Sequence, residues 1–145
     1  MRVTRDPLVS QQAIDAVASP RAGAINVFLG VVRDNNLGRE VRYLDYEAYP
    51  SMAEKVMREI AEESIRKFGF EDVAVLHRTG KLEIGETSLL IAVSSGHRVE
   101  SFEGGHWLVN EIKKRVPVWK KEVWADGESW IEGPESLGIQ APGQR

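Results

Sequence analysis

Apolar positions fall into a few distinct patterns along the chain. Ala24 to Val32 (AINVFLGVV) is nearly all apolar and rich in branched residues, as a strand buried on both faces would be. Val41 to Tyr49 (VRYLDYEAY) is more amphipathic and predicts a second strand, after a turn over Asp34-Asn35-Asn36-Leu37-Gly38 built from residues that tolerate turn geometry. From Met52 to Phe68 the pattern changes period: Met52, Val56 and Ile60 recur at i+4 beside Ala53, Met57 and Ala61, with charge on the remaining face. That is an amphipathic helix, closed by Gly69. Asp72 to His77 and Ser88 to Ser94 predict two more strands, joined by a charged loop over 78–86. Val99, Phe102, His106, Val109, Ile112 and Val116 then step by three and four. They predict a long helix that Pro117 cannot continue and that Gly104-Gly105 weakens in its middle. Val118 to Ala125 and Trp130-Ile131 are strand-like about an Asp126-Gly127 turn, and Ser10 to Ala18 predicts a short first helix. Strand pairs and helices in this order give an α+β fold, not the strict alternation of a doubly wound sheet.

Length adds one constraint: 145 residues suit one domain, since single cores usually close between about 50 and 200 residues. The end of the chain, from Gly133 (GPESLGIQAPGQR), is poor in large apolar groups and reads as a flexible tail over 133–145. No uncharged apolar run approaches the roughly 18 residues of a membrane span, and Met1 to Pro20 lacks the apolar stretch of a secretory signal. A cytoplasmic chain is expected. With 19 Lys plus Arg against 22 Asp plus Glu, a surface that coats nucleic acid is disfavoured. There is no Cys, which excludes thiolate metal sites and a cysteine nucleophile. Three His without HExxH spacing do not suggest zinc, so neither a metal nor a bound cofactor is expected.

The densest charge is Lys113-Lys114-Arg115-Val116-Pro117-Val118-Trp119-Lys120-Lys121-Glu122, with 5 of the 19 basic residues. Lysines at a helix C-terminus are favoured by the macrodipole alone. The apolar Pro117-Val118-Trp119 between the two groups should pack inward, however, and place Lys113 and Lys120 at the rim of one cavity. A lysine partly desolvated beside other cations suits proton transfer or nucleophilic attack. His97-Arg98 stands at a strand-to-helix junction where backbone N–H groups favour anions, and Arg33 at a strand exit could join it as a clamp. His77 reads as structural. Trp107, Trp119, Trp124 and Trp130 read first as packing residues. Walker A, GxGxxG and GxSxG are absent, so the residues reach a cavity for an anionic small molecule and no particular reaction. A non-catalytic scaffold and a lysine enzyme for another phosphorylated heterocycle remain alternatives.

Five ordered blocks go further. Phe28-Leu29-Gly30-Val31-Val32-Arg33 with Asn36-Leu37-Gly38 is one, and Leu44-Asp45-Tyr46-Glu47-Ala48-Tyr49-Pro50-Ser51-Met52 another. The third is His77-Arg78-Thr79-Gly80-Lys81-Leu82 with Gly85-Glu86, and the fourth Ser94-Ser95-Gly96-His97-Arg98. The last is Lys113 with Pro117-Val118-Trp119-Lys120-Lys121-Glu122 and Trp130. Together they resemble the large, catalytic subunit of molybdopterin synthase, the MoaE family. Val31 departs from members that carry Lys there.

The resemblance implies an α/β hammerhead-type fold with an additional antiparallel β-sheet. It implies a sulfurtransferase of molybdenum-cofactor biosynthesis that converts cyclic pyranopterin monophosphate to molybdopterin. The sulfur would come from a separate small ubiquitin-like subunit bearing a C-terminal Gly-Gly thiocarboxylate. Two large subunits would form a homodimer at the centre of a heterotetramer, with pockets borrowing residues across the dimer. Lys113 and Lys120 would be catalytic; Arg33, His97, Arg98, Lys121 and Glu122 would bind substrate.

Overall fold

In the computed structural model, residues 1–132 are described; the tail expected over 133–145 lies outside the described residues. The elements are β1 (Arg2–Thr4), α1 (Ser10–Val17), β2 (Ala24–Val31), β3 (Asn35–Asn36), β4 (Arg39–Glu40), β5 (Tyr43–Ala48), α2 (Pro50–Phe68), β6 (Asp72–Arg78), β7 (Gly80–Glu83), β8 (Thr87–Ser95), α3 (Arg98–Arg115), β9 (Val118–Trp124) and β10 (Gly127–Glu132). The α+β expectation holds. The strands form one sheet in the order β1-β6-β8-β2, a second in the order β10-β9-β5-β7, and a separate β3-β4 hairpin. All pairings are antiparallel except β1 with β6.

The first sheet is covered on both faces, and strand alternation sorts its side chains. Val73, Val75, Leu89, Ile91 and Val93 join Met57, Ile60, Leu108 and Ile112 of α2 and α3 in the main core. Their neighbours Ala74, Leu90 and Ala92 pack with Ala13 and Val17 of α1. The strand buried on both faces is therefore β8. The expectation that Ala24 to Val32 would be that strand is corrected: β2 is the sheet edge, and Ile25, Phe28, Leu29 and Val31 are exposed in the single chain.

Helix boundaries follow local chemistry. Pro50 opens α2, where its missing N–H costs nothing, and Gly69 closes it in the left-handed conformation, its N–H donating to Ile65 O at 2.9 Å. α3 runs unbroken through Gly104-Gly105. A Cβ on Gly104 would come 2.2 Å from Phe70 Cζ, so the small residue is required for Phe68 and Phe70, stacked 5.7 Å apart, to close against the helix. Two pieces were not foreseen: β1, a three-residue strand with too little pattern to read, and β7, lying inside the expected charged loop. The β3–β4 hairpin sits within the expected turn, and Leu37 (φ 52) and Gly38 (φ 78) give its two central residues the positive φ of the tight turn that matches strand twist.

Candidate functional site

Where the two sheets meet α3, a cavity of about 220 Å³ opens to the surface. The end of β2 supplies Gly30 and Val31, and Arg33 follows; the hairpin contributes Asn35 and Asn36; β5 contributes Leu44 and Tyr46; β9 contributes Val118, Lys120 and Glu122. Lys113 enters from the last turn of α3. There Ile112 and Val116 face the core, and the Val116 N–H closes the helix on Ile112 O at 3.0 Å. Pro117 is buried and Trp119 is buried against Tyr49, the rings edge-on with centroids 5.5 Å apart. The apolar link thus packs inward, and Lys113 and Lys120 line the same cavity.

Alternation along β9 puts residues 118, 120 and 122 on the cavity face and Lys121 on the other. There the Lys121 ammonium lies 3.8 Å from Asp45 Oδ2, 3.7 Å from Glu128 Oε2 and 5.7 Å from the Trp130 ring centre. Lys121 does not line the cavity. Glu122 does, and is nearly fully buried at 3% exposure. Its Oε1 accepts from Trp124 Nε1 at 2.5 Å and its Oε2 from Asn36 Nδ2 at 3.0 Å. Asn36 Oδ1 in turn accepts from Arg33 Nη2 at 3.4 Å.

His97 and Arg98 lie elsewhere, in a separate depression with Gly23, Gly96 and Glu100. His97 is the N-cap of α3 and Arg98 its first residue; Ser95 Oγ donates to His97 O at 2.6 Å and Ser101 Oγ to Arg98 O at 2.7 Å, fixing the helix start. Gly23 N–H donates to Ser95 O at 2.9 Å, so this depression adjoins the beginning of β2, whereas the cavity adjoins its end. The seven steps between the first and last of the eight residues of β2, at about 3.3 Å each, separate the two by about 23 Å along the strand.

Sequence reasoning missed several lining residues, among them His77 and Asn36. His77, expected to be structural, is buried at the cavity wall with its Nδ1 2.9 Å from Arg78 O and its ring edge-on to Tyr46 at 5.0 Å. Asn36 looked like one turn residue among several, since nothing local marks a partner 86 positions away. Away from the cavity, Arg115 Nη1 donates to Glu63 Oε2 at 2.9 Å, and this bond holds the Glu63 carboxyl below its ordinary pKa. Glu86 is likewise lowered, first by the Glu83 N–H and then by Arg78.

Residues 3–115 match the family model described as MoaE protein. The chain belongs to the MoaE family. It is 49% identical to the molybdopterin synthase catalytic subunit of Pyrococcus abyssi over 130 residues, 90% of this chain and 88% of that one. To the catalytic subunit of Halalkalibacterium halodurans it is 47% identical over 129 residues, 89% of this chain and 83% of that one. Among solved structures, the molybdopterin synthase of Staphylococcus aureus superposes with a TM-score of 0.86 at 37% identity, covering 90% of this chain and 95% of that one. A chain from the Helicobacter pylori complex of molybdopterin-converting factor subunits 1 and 2 shares the fold, with a TM-score of 0.71 at 19% identity, covering 93% and 90%. The MoaE fold expected from the resemblance is therefore the fold observed. No helix among the described residues is long and apolar enough to cross a membrane.

Proposed function

We propose that the cavity between Lys113 and Lys120 is where cyclic pyranopterin monophosphate receives two sulfurs and becomes molybdopterin. Family membership and the matched catalytic subunits give the activity: the chain serves in molybdenum-cofactor biosynthesis as the catalytic subunit of molybdopterin synthase, a sulfurtransferase. The observation that carries the site is the convergence of Arg33, Lys113 and Lys120 on one cavity from a strand exit, a helix end and a strand start.

The small ubiquitin-like partner presents its C-terminal thiocarboxylate to this cavity. Its sulfur attacks a carbon of the pterin side chain and displaces the oxygen on that carbon, which leaves as water once protonated, so a thioester links partner and substrate. Water cleaves that link, so the sulfur stays on the pterin and the partner leaves with an ordinary carboxylate. A second thiocarboxylate repeats the transfer after the cyclic phosphate opens. Lys113 donates and accepts the proton at the acyl centre, Lys120 assists and holds the pterin, and Arg33 binds phosphate with its planar fork. These cations offset the negative charge developing at each step.

One chain holds only part of this site. Its cavity of about 220 Å³ falls below the roughly 300–1,000 Å³ of small-molecule sites. The uncovered β2 edge supplies the rest of the argument. A two-fold axis near the middle of β2 pairs its beginning with the partner copy's end, which carries His97 and Arg98 to the other copy's Arg33 and Val31. Exposed Ile25, Phe28 and Leu29 are the apolar surface such an interface buries. Both sets of predicted residues then serve one pocket, in a central homodimer that binds a small subunit at each end, as a cytoplasmic heterotetramer.

The test mixes purified protein with a thiocarboxylated small subunit and cyclic pyranopterin monophosphate and assays molybdopterin, with Lys113→Ala alongside. Product from the wild-type chain alone is expected. Normal product from Lys113→Ala would remove the lysine assignment, and a stable complex without product would leave a scaffold.

A further inference from the structure

Glu122 is an odd neighbour for an anionic substrate. Its negative charge repels phosphate, and both carboxylate oxygens already accept hydrogen bonds, from Trp124 at 2.5 Å and Asn36 at 3.0 Å. A carboxylate so occupied is held fixed, and is poorly placed to meet a ligand. What it does instead is anchor Asn36. The amide of Asn36 gives its NH₂ to Glu122 and its oxygen to Arg33 Nη2 at 3.4 Å. The reverse orientation would face NH₂ to guanidinium and carbonyl to carboxylate, two repulsions, so the charges on either side fix the amide and with it the direction of the chain.

Trp124 also holds the other strand of the hairpin. The Arg39 guanidinium lies 3.9 Å from the centre of the Trp124 ring, with Asp126 Oδ2 3.8 Å away. Both two-residue strands of the β3–β4 hairpin are thus tied to one indole: β4 directly through Arg39, β3 through Glu122 and Asn36. A hairpin this short has almost no stability of its own, so these side chains decide where it sits over the cavity.

We propose that Trp124 and Asn36 are positioning residues that clamp Glu122 between them and so aim Arg33 into the cavity. The assignment rests on the proposed reading of the cavity as the substrate site. Glu122 acts through Asn36 and Arg33 and makes no substrate contact of its own.

Trp124→Phe keeps the ring under Arg39 and removes the N–H; Asn36→Ala removes the link to Arg33. Each is expected to raise the substrate KM about tenfold, the loss of one hydrogen bond to a charged group, and to leave kcat within about twofold. In an Arg33→Ala background neither should add a further loss, because the effect runs through that guanidinium. A fall in kcat at unchanged KM, or losses that multiply with Arg33→Ala, would overturn the proposal. Two readouts do not need turnover. The Trp124 indole N–H resonance in 15N-labelled protein should move upfield in Glu122→Gln. Amide exchange over 35–41 should accelerate in Trp124→Phe and Asn36→Ala while β8 stays protected. An unmoved resonance or unchanged exchange would sink the clamp, even if the wild-type chain made no product and the proposed function itself fell.

Discussion

Lys120 and Lys121 are adjacent in the chain and lie on opposite faces of one sheet. Lys120 stands opposite Tyr46 and lines the cavity; Lys121 stands opposite Asp45 and is tied to two carboxylates and the Trp130 ring. Their substitutions should therefore separate. Lys120→Ala is expected to lose about 10²–10⁴-fold in molybdopterin formation, the usual scale for a proton-transfer group. Lys121→Ala should stay within a few-fold and cost at most about 1 kcal/mol of stability, as for other partly exposed ion pairs. Steady-state rates and a denaturant curve for each variant check this.

Completion of each pocket across the dimer predicts rescue by mixing. Arg98→Ala and Lys113→Ala should each be inactive alone. Refolded together, half of the dimers are hybrids with one intact pocket, so about a quarter of wild-type activity should return if sites are shared across a two-fold interface. Absence of rescue would place His97 and Arg98 outside the working site.

The β2 edge predicts a solution property that is independent of catalysis. Leu29→Lys puts a charge on the exposed apolar edge and should give a folded monomer by sedimentation, with helical circular dichroism unchanged and activity lost. An undiminished dimer would move the interface elsewhere.

Gly104 predicts a packing defect remote from the site. Gly104→Ala improves helix propensity, yet its methyl carbon would sit 2.2 Å from Phe70 Cζ and 2.9 Å from Phe68 Cγ. Net destabilisation of about 1–3 kcal/mol is expected, because the overpacked aromatic pair has to move, and thermal unfolding measures it.

Acid stability should depend on Glu63 and Glu86, whose carboxyls lie below their ordinary value in the folded state. A lowered folded pKa contributes stability that is fully present above the unfolded pKa and is lost as pH falls through the folded one. Glu63→Gln and Glu86→Gln should therefore flatten the acid limb of a stability–pH curve below the ordinary carboxylate range. At neutral pH they should lower stability, which denaturant curves at several pH values would show.

Much of the site was legible because its signals are local. Lys113 and Lys120 flank an apolar Pro117-Val118-Trp119 that has to turn inward, so spacing alone brought them to one rim. Arg33 was marked by its place at a strand exit. Lys121 was not separable from Lys120 without knowing that this stretch is a strand with a cavity on one face. Asn36 and Trp124 carried no sign of their joint hold on Glu122, because that contact joins a turn to a strand 86 positions away.

The sequence by itself determined the types of the longer elements, though not of β1 and β7, the helix ends at Gly69 and Pro117, and, through its five ordered blocks, the MoaE family. These follow from periodicity, backbone restriction and residue identity, all readable at short range. Only the tertiary structure decided which apolar strand is central. β2 (AINVFLGV) is more apolar than β8 (TSLLIAVSS), yet it lies at the edge, because an apolar run records that a strand is to be buried without recording by what. β8 is enclosed by helices of its own chain, whereas β2 is left at the edge with His97 and Arg98 at one end and Arg33 at the other. That placement depends on long-range pairing order, and it is what divides the predicted site between the two ends of one strand.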